Sequence, residues 1–162
     1  MIDYYGISGD WSPLPNALNY IWTNGCYDVL HIGHLRLLAE CKKQTEKNLG
    51  SMLMIGIDSD ERVKQLKGDS RPINTQLHRA EMLLSLKSVD GVFIYDTAED
   101  LEEILSSLKP KVMVIGDEYK DKLVIGKEHC SEIIFYPKFE NFSSTKIIFD
   151  LVKGKSENTQ TS

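Results

Sequence analysis

At 162 residues and 18.4 kDa, with 41% hydrophobic and 27% charged residues, the chain has the size and balance of one globular domain with a full core. A net charge of −5 and a pI near 5.4 exclude the global basic field that draws a protein to nucleic acid or to an acidic membrane. Cys26, Cys41 and Cys130 follow no pairing pattern, and no stretch reads as a secretory signal or a membrane span, so a reducing cytoplasm is expected.

Residues 1–19 are polar, with Gly6, Gly9, Pro13 and Pro15, and read as an extension packed loosely on the domain. Residues 20–23 (Y-I-W-T) have the aromatic and β-branched character of a buried strand, which Asn24-Gly25 is expected to break. From Leu35 the apolar positions Leu35, Leu38 and Ala39 share one helix face, and residues 42–50 read as a charged connector. The run M-L-M-I-G-I at 52–57 suits a strand buried on both faces, and Asp58-Ser59-Asp60-Glu61 opens a helix to about Leu66. Lys67-Gly68-Asp69-Ser70-Arg71-Pro72 is a loop, followed by a helix with Leu77, Ala80, Leu83 and Leu84 on its apolar side.

Further strands are expected at 92–95, 112–115 and 133–136. Thr97 and Asp100 form a capping box for a helix over 98–108, residues 117–126 and 138–143 are loops, and a last helix runs over 144–152. The tail 153–162 is polar and reads as disordered. Apolar strands alternating with amphipathic helices specify an α/β, Rossmann-like three-layer sandwich with a mostly parallel sheet of about five strands, the domain occupying 20–152. In such a sheet a ligand sits beyond the carboxyl ends of the strands, near the reversal of strand order, where residues 24–34 begin.

The unit over 20–38 is therefore strand, glycine-bearing loop, helix, which aims free N–H groups and a positive dipole end at one point. His31 and His34 lie at that junction, separated by Ile32-Gly33, and Gly25 and Gly33 are expected to let a ligand approach the backbone closely. An anion there would meet backbone donors and two imidazoles. The alternatives are capping or surface histidines, or zinc on histidines at i and i+3, although no C-x-x-C pair accompanies them. No G-x-G-x-x-G follows a strand, and Gly154-Lys155-Ser156 lacks the earlier glycine of a P-loop, since Phe149 stands there.

The whole string Gly25-Cys26-Tyr27-Asp28-Val29-Leu30-His31-Ile32-Gly33-His34 resembles the signature of the HxGH nucleotidyltransferase (cytidylyltransferase-like) superfamily. That resemblance implies that the two histidines stabilise the α-phosphate of an NTP during in-line transfer. The segment Lys67-Gly68-Asp69-Ser70-Arg71-Pro72-Ile73-Asn74 resembles K-G-x-x-R-P-V-N of the ADP-heptose synthase nucleotidyltransferase domain, which implies that Lys67 and Arg71 contact phosphates or the acceptor. Arg79 matches the arginine that begins the next helix in these families. Gly116-Asp117-Glu118-Tyr119-Lys120 resembles G-D-x-Y/W-K of heptose and glycerol-3-phosphate nucleotidyltransferases, placing Gly116, Asp117 and Tyr119 at the nucleoside end. Phe142-Ser143-Ser144-Thr145-Lys146-Ile147 resembles I-S-T-T-K-I, implying that Ser143, Ser144 and Thr145 hold the β- or γ-phosphate. By the same likeness Thr23, Asn24, Gly25, Cys26, Tyr27 and Gly33 line the nucleotide.

The likeness covers residues 20–152, with one departure: residues 138–145 read K-F-E-N-F-S-S-T, without the arginine and glycine of R-T-x-G-I-S-T-T. The heptose enzymes also lack that arginine, so ATP and a heptose 1-phosphate are favoured over CTP and glycerol 3-phosphate. The implied chemistry is attack by a phosphorylated small molecule on the α-phosphorus of NTP·Mg²⁺, with pyrophosphate leaving. No strong nucleophile is offered, so positioning and charge stabilisation carry the reaction. Mg²⁺ takes most of its shell from phosphates and water, and no protein ligand is assigned to it. A homodimer is the implied assembly. A class I aminoacyl-tRNA synthetase shares the H-I-G-H string but needs a tRNA-binding region, and pantetheine-phosphate adenylyltransferase has T-x-G-H instead. A non-catalytic nucleotide-binding module is expected to have lost a histidine or the hydroxyl run, and both are present here.

Overall fold

The computed structural model describes residues 2–6, 19–137 and 147–149. Six strands, β1 (Ile2–Gly6), β2 (Tyr20–Gly25), β3 (Met52–Asp58), β4 (Gly91–Tyr95), β5 (Val112–Gly116) and β6 (Glu132–Tyr136), form one sheet in the order β1-β4-β3-β2-β5-β6. The five strands β2 to β6 are parallel, as the alternation of apolar strands and amphipathic helices requires. Strand order reverses between β2 and β5, so the crevice for a ligand opens at the carboxyl end of β2.

The first strand departs from the reading of residues 1–19 as a loose extension. Ile2 to Gly6 pair antiparallel with β4, in register Ile2 with Tyr95 and Gly6 with Gly91. A five-residue strand at the margin of a sheet is specified by its partner more than by its own composition.

Alternate residues of the strands face opposite layers. Ile21, Leu53, Ile55, Ile57, Val92 and Ile94 pack with Leu38 and Cys41 of α1 (Ile32–Lys47) and with Ala80 and Leu83 of α3 (Gln76–Leu84). On the other face Trp22, Met54, Phe93 and Met113 pack with Leu101, Ile104 and Leu105 of α4 (Ala98–Leu108). Gly56 of β3 is required here: a Cβ on it would lie 2.5 Å from Cζ2 of the fully buried Trp22. Short α2 (Asp60–Lys67) follows β3, capped by Ser59, which accepts from the Arg62 N–H. The expected Thr97–Asp100 capping box is present at α4.

Two boundaries move. β2 runs through Asn24 and Gly25, because Gly56 and Ile57 of β3 continue the ladder beside them. α1 begins at Ile32 and runs to Lys47, so the charged stretch after Cys41 is mostly helix. Its inward stripe is Leu38, Cys41 and Thr45, spaced by three and four, whereas Leu35 is 43% exposed and Ala39 is exposed. The expected helix over 144–152 lies largely outside the described residues, of which 147–149 are helical.

Candidate active site

The loop leaving β2 turns at Tyr27, which adopts a left-handed conformation (φ 50°) with its side chain buried. The phenol ring lies over Gly25, where a Cβ would stand 3.3 Å from ring atom Cε2, and its hydroxyl is 3.5 Å from Thr23 Oγ1. The space above Gly25 is thus filled by Tyr27 rather than left for a ligand. Thr23, fully buried beneath that ring, supports it from behind, as does Tyr27 for the histidines. Burial raises the Tyr27 phenol pKa, so it stays protonated.

His31 is the N-cap of α1, and its Nδ1 accepts from the Gly33 N–H at 3.1 Å. That bond fixes the ring and its tautomer at the positive end of the helix. One turn on, the His34 ring stacks against it with centroids 3.8 Å apart and planes 22° apart, and Tyr27 closes the far side at 4.9 Å. Burial, then the neighbouring His31 and the Lys67 ammonium, push the His34 pKa down to about 3. Burial also lowers that of His31. The pair is therefore neutral in the free protein at pH 7. Nδ1 of His34 is buried with no hydrogen-bond partner. Among the described residues no third histidine, cysteine or carboxylate joins the pair within coordinating reach. Among the described residues the group that could gather around a cation, Glu102, Glu128 and His129, involves α4 on the opposite face, where His129 Nε2 already lies 2.5 Å from Glu102.

The second wall is the loop between α2 and α3. Lys67 ends α2, Gly68 turns the chain at φ 92°, and the Arg71–Pro72 peptide is cis. Asp28, fully buried in the histidine loop, accepts from Arg71 Nε at 2.6 Å and from the Ile73 and Asn74 N–H groups at 2.8 Å each. Asn74 Nδ2 donates back to the Asp28 carbonyl. Burial opposes ionisation of Asp28, but the Asn74 and Ile73 N–H groups and then Arg71 outweigh it and lower the pKa.

Arg79 is 0% exposed. Its guanidinium donates to Asn74 O, Cys26 O and Asp58 O at 3.1, 2.8 and 2.7 Å, and to Asp60 Oδ1 at 2.8 Å. These acceptors lie on both site loops, the end of β3 and the first turn of α2. Arg79, expected at the nucleotide, ties the two loops together through these bonds.

Asn24 accepts from Trp22 Nε1 at 3.2 Å. Gly116 ends β5, and Asp117–Tyr119 form a short 3-10 helix. The Tyr119 pKa is raised by partial burial, then by Glu118 and by Asp58, and its turn follows the carboxyl end of β5, which runs parallel to β2. Ser143, Ser144 and Thr145 lie outside the described residues. The structure thus brings together His31, His34, Lys67 and Arg71 from two loops, with the Gly116 to Tyr119 turn on the same rim. Sequence reasoning left Asp28 without a role, although it stood inside the recognised string, and passed over Arg62, which pairs with Asp58 at 2.8 Å one helical turn away.

A strand–loop–helix with paired imidazoles at the reversal of a doubly wound sheet, beside a loop that carries Lys67 and Arg71, defines a Rossmann-like α/β domain. The cytidylyltransferase-like family profile matches residues 22–149, and the chain belongs to that family. Bifunctional protein HldE of Campylobacter jejuni subsp. jejuni serotype O:6 (strain 81116 / NCTC 11828) is 42% identical over 133 residues, covering 82% of this chain and 28% of that protein. Bifunctional protein HldE of Helicobacter hepaticus (strain ATCC 51449 / 3B1) is 39% identical, covering 83% and 27%. The chain thus spans little more than a quarter of these relatives. The lipopolysaccharide core biosynthesis protein from Thermoplasma volcanium GSS1 superposes with a TM-score of 0.56 at 24% identity, covering 75% of this chain and 98% of that one, a likeness of fold.

Proposed function

We propose that the chain transfers a nucleoside monophosphate from NTP·Mg²⁺ to a phosphorylated sugar, with ATP and a heptose 1-phosphate as the favoured pair, releasing pyrophosphate. The observation that carries this reading is the stacked, neutral His31–His34 pair at the N-terminus of α1, facing the field of Lys67. The acceptor phosphate oxygen attacks the α-phosphorus, the bond to the β-bridging oxygen breaks, and the electron pair leaves with pyrophosphate. Negative charge grows on the equatorial oxygens and the leaving group. The helix end and the histidine N–H groups answer it there, and Lys67 and Arg71 hold the flanking phosphates. Asn24, Gly116, Asp117 and Tyr119 flank the nucleoside, and Ser143, Ser144 and Thr145 the distal phosphates.

The donor set suits a polyanion. The buried carboxylates of this rim, Asp28 and Asp58, already pair with Arg71 and Arg62, so Mg²⁺ enters as part of the nucleotide complex. The heptose preference is supported by the Lys67-to-Asn74 likeness and by the 39–42% identity with the HldE proteins. Exposed Leu35 of α1 and Leu77 of α3 support a homodimer through that layer. Free Cys26, Cys41 and Cys130 fit a reducing cytoplasm, and among the described residues no helix is long and apolar enough to cross a membrane. The deciding experiment is pyrophosphate release for four NTPs crossed with heptose 1-phosphate and glycerol 3-phosphate. Turnover with CTP and glycerol 3-phosphate would overturn the substrate pair. Binding of NTP without release across both acceptors would instead make the domain a nucleotide-binding module.

A further inference from the structure

We propose that Asp28 is a positioning residue, whose buried carboxylate holds the Arg71 guanidinium with its Nη2 edge reserved for a phosphate group of the substrates. The inference rests on the phosphate-transfer reading above and gives that site a residue it lacked.

Arginine and a carboxylate commonly meet through two parallel bonds, in one arrangement Nε to one carboxylate oxygen and Nη2 to the other. Here only one prong is made. Arg71 Nε donates to Asp28 Oδ2 at 2.6 Å, while Oδ1 is taken by the N–H groups of Ile73 and Asn74, each at 2.8 Å. Nη2 is left buried with no hydrogen-bond partner, on a side chain only 7% exposed. A buried cationic N–H without an acceptor is costly, and it persists where a ligand completes it.

A second buried nitrogen tells the same story from the other loop. His34 Nδ1 also lacks a partner, and His34 senses the charge of Lys67 at the start of the Arg71 loop. Two loops that Asp28 locks together each present a nitrogen that the protein does not satisfy. Tetrahedral phosphate, with acceptor oxygens in several directions, satisfies a guanidinium N–H of this kind. The lock closes as a circuit: Asp28 binds the Asn74 N–H, Asn74 O accepts from Arg79, and Arg79 donates to Cys26 O, two residues before Asp28. Asp28 thus fixes both the direction of Arg71 and the spacing between Arg71 and the histidines.

The test uses the full chain and inorganic pyrophosphate, with affinity read by calorimetry. Arg71→Lys keeps the charge but loses the planar fork, and a fall in affinity of about tenfold or more is expected, the scale of one charge-assisted hydrogen bond. Arg71→Ala should bind weakly and recover when guanidinium chloride is added at low millimolar concentration. That recovery should vanish in Arg71→Ala/Asp28→Asn, because Asp28 is what seats the guanidinium. In turnover assays Arg71→Lys should raise KM for one substrate far more than it lowers kcat. A rise for NTP assigns Nη2 to the triphosphate, and a rise for the sugar phosphate assigns it to the acceptor. Pyrophosphate binding by Arg71→Lys equal to the unaltered protein, or equal guanidinium rescue with and without Asp28, overturns the proposal. If the double variant does not fold, Asp28→Asn with Arg71 intact decides it: a pyrophosphate affinity equal to that of the unaltered protein overturns the proposal. If the unaltered protein turns over no substrate while the binding pattern holds, the transfer reading fails and the positioning role stands.

Discussion

Arg79→Ala should be among the most damaging single changes in this domain. The arginine is fully buried, and three of its four contacts end on backbone carbonyls of Cys26, Asp58 and Asn74. Hydrogen bonds to a charged group contribute about 1.5–3 kcal/mol each, which naively gives about 5–9 kcal/mol for those three. They are not independent, and a carbonyl keeps some satisfaction from water entering the void, so about 3–5 kcal/mol is the realistic loss for breaking a buried charged network. The fourth contact adds little, because Asp60 is partly exposed. For a domain of this size about 3–5 kcal/mol lowers Tm by roughly 6–20 °C. Urea and thermal unfolding followed by circular dichroism measure both quantities. Arg79→Lys, which keeps the charge but reaches fewer acceptors, should fall between. A loss below about 1 kcal/mol for Arg79→Ala would refute the view that this guanidinium holds the two loops together.

His31→Ala and His34→Ala should each reduce kcat by about 10²-fold or more with little change in NTP affinity, and an equal loss of binding would mean that they act only on the ground state. The depressed His34 pKa makes the unfolded chain the better proton acceptor between pH 6.5 and about 3, so stability should fall as pH drops through that window; the His34 ring resonances should also hold still from pH 8 to 5. A normal titration near pH 6.5 in the free protein would contradict the packing described for that ring. Gly56→Ala should cost about 1–3 kcal/mol in urea unfolding, since its methyl group would collide with the buried Trp22 ring, and a neutral result would show that β3 has slack there.

The parallel core was legible in the chain because its strands are unbroken apolar runs and its helices carry caps at their starts. The capping box at Thr97 sits where the residue types place it. What escaped reading was long-range. Asp28 makes its bonds to residues 43 to 46 positions away, and no local pattern announces a partner at that distance. Arg79 gave a signal that went unused: it lies four residues before buried Leu83, hence on the inward face of α3. The inward stripe of α1 includes Gln44 and Thr45, so an apolar pattern alone selected Leu35 and Ala39, which face outward. Gly25 looked like room for a ligand because sequence cannot show that Tyr27, by turning left-handed, folds its ring back over it.

The antiparallel strand β1 bears on how this protein behaves in a crowded solution. Without it, β4 would be the outermost strand on that side, a run of five buried residues, G-V-F-I-Y, with a row of unpaired backbone groups. Such a border is a template for a strand from another chain, and its sequence has the aromatic and β-branched character that stabilises edge-to-edge pairing. By lying along Gly91–Tyr95, Ile2–Gly6 acts as a built-in chaperone for the sheet. A truncated chain beginning at Asn19 would keep the histidine loop and both of its clamps intact, yet it would be prone to strand exchange and aggregation.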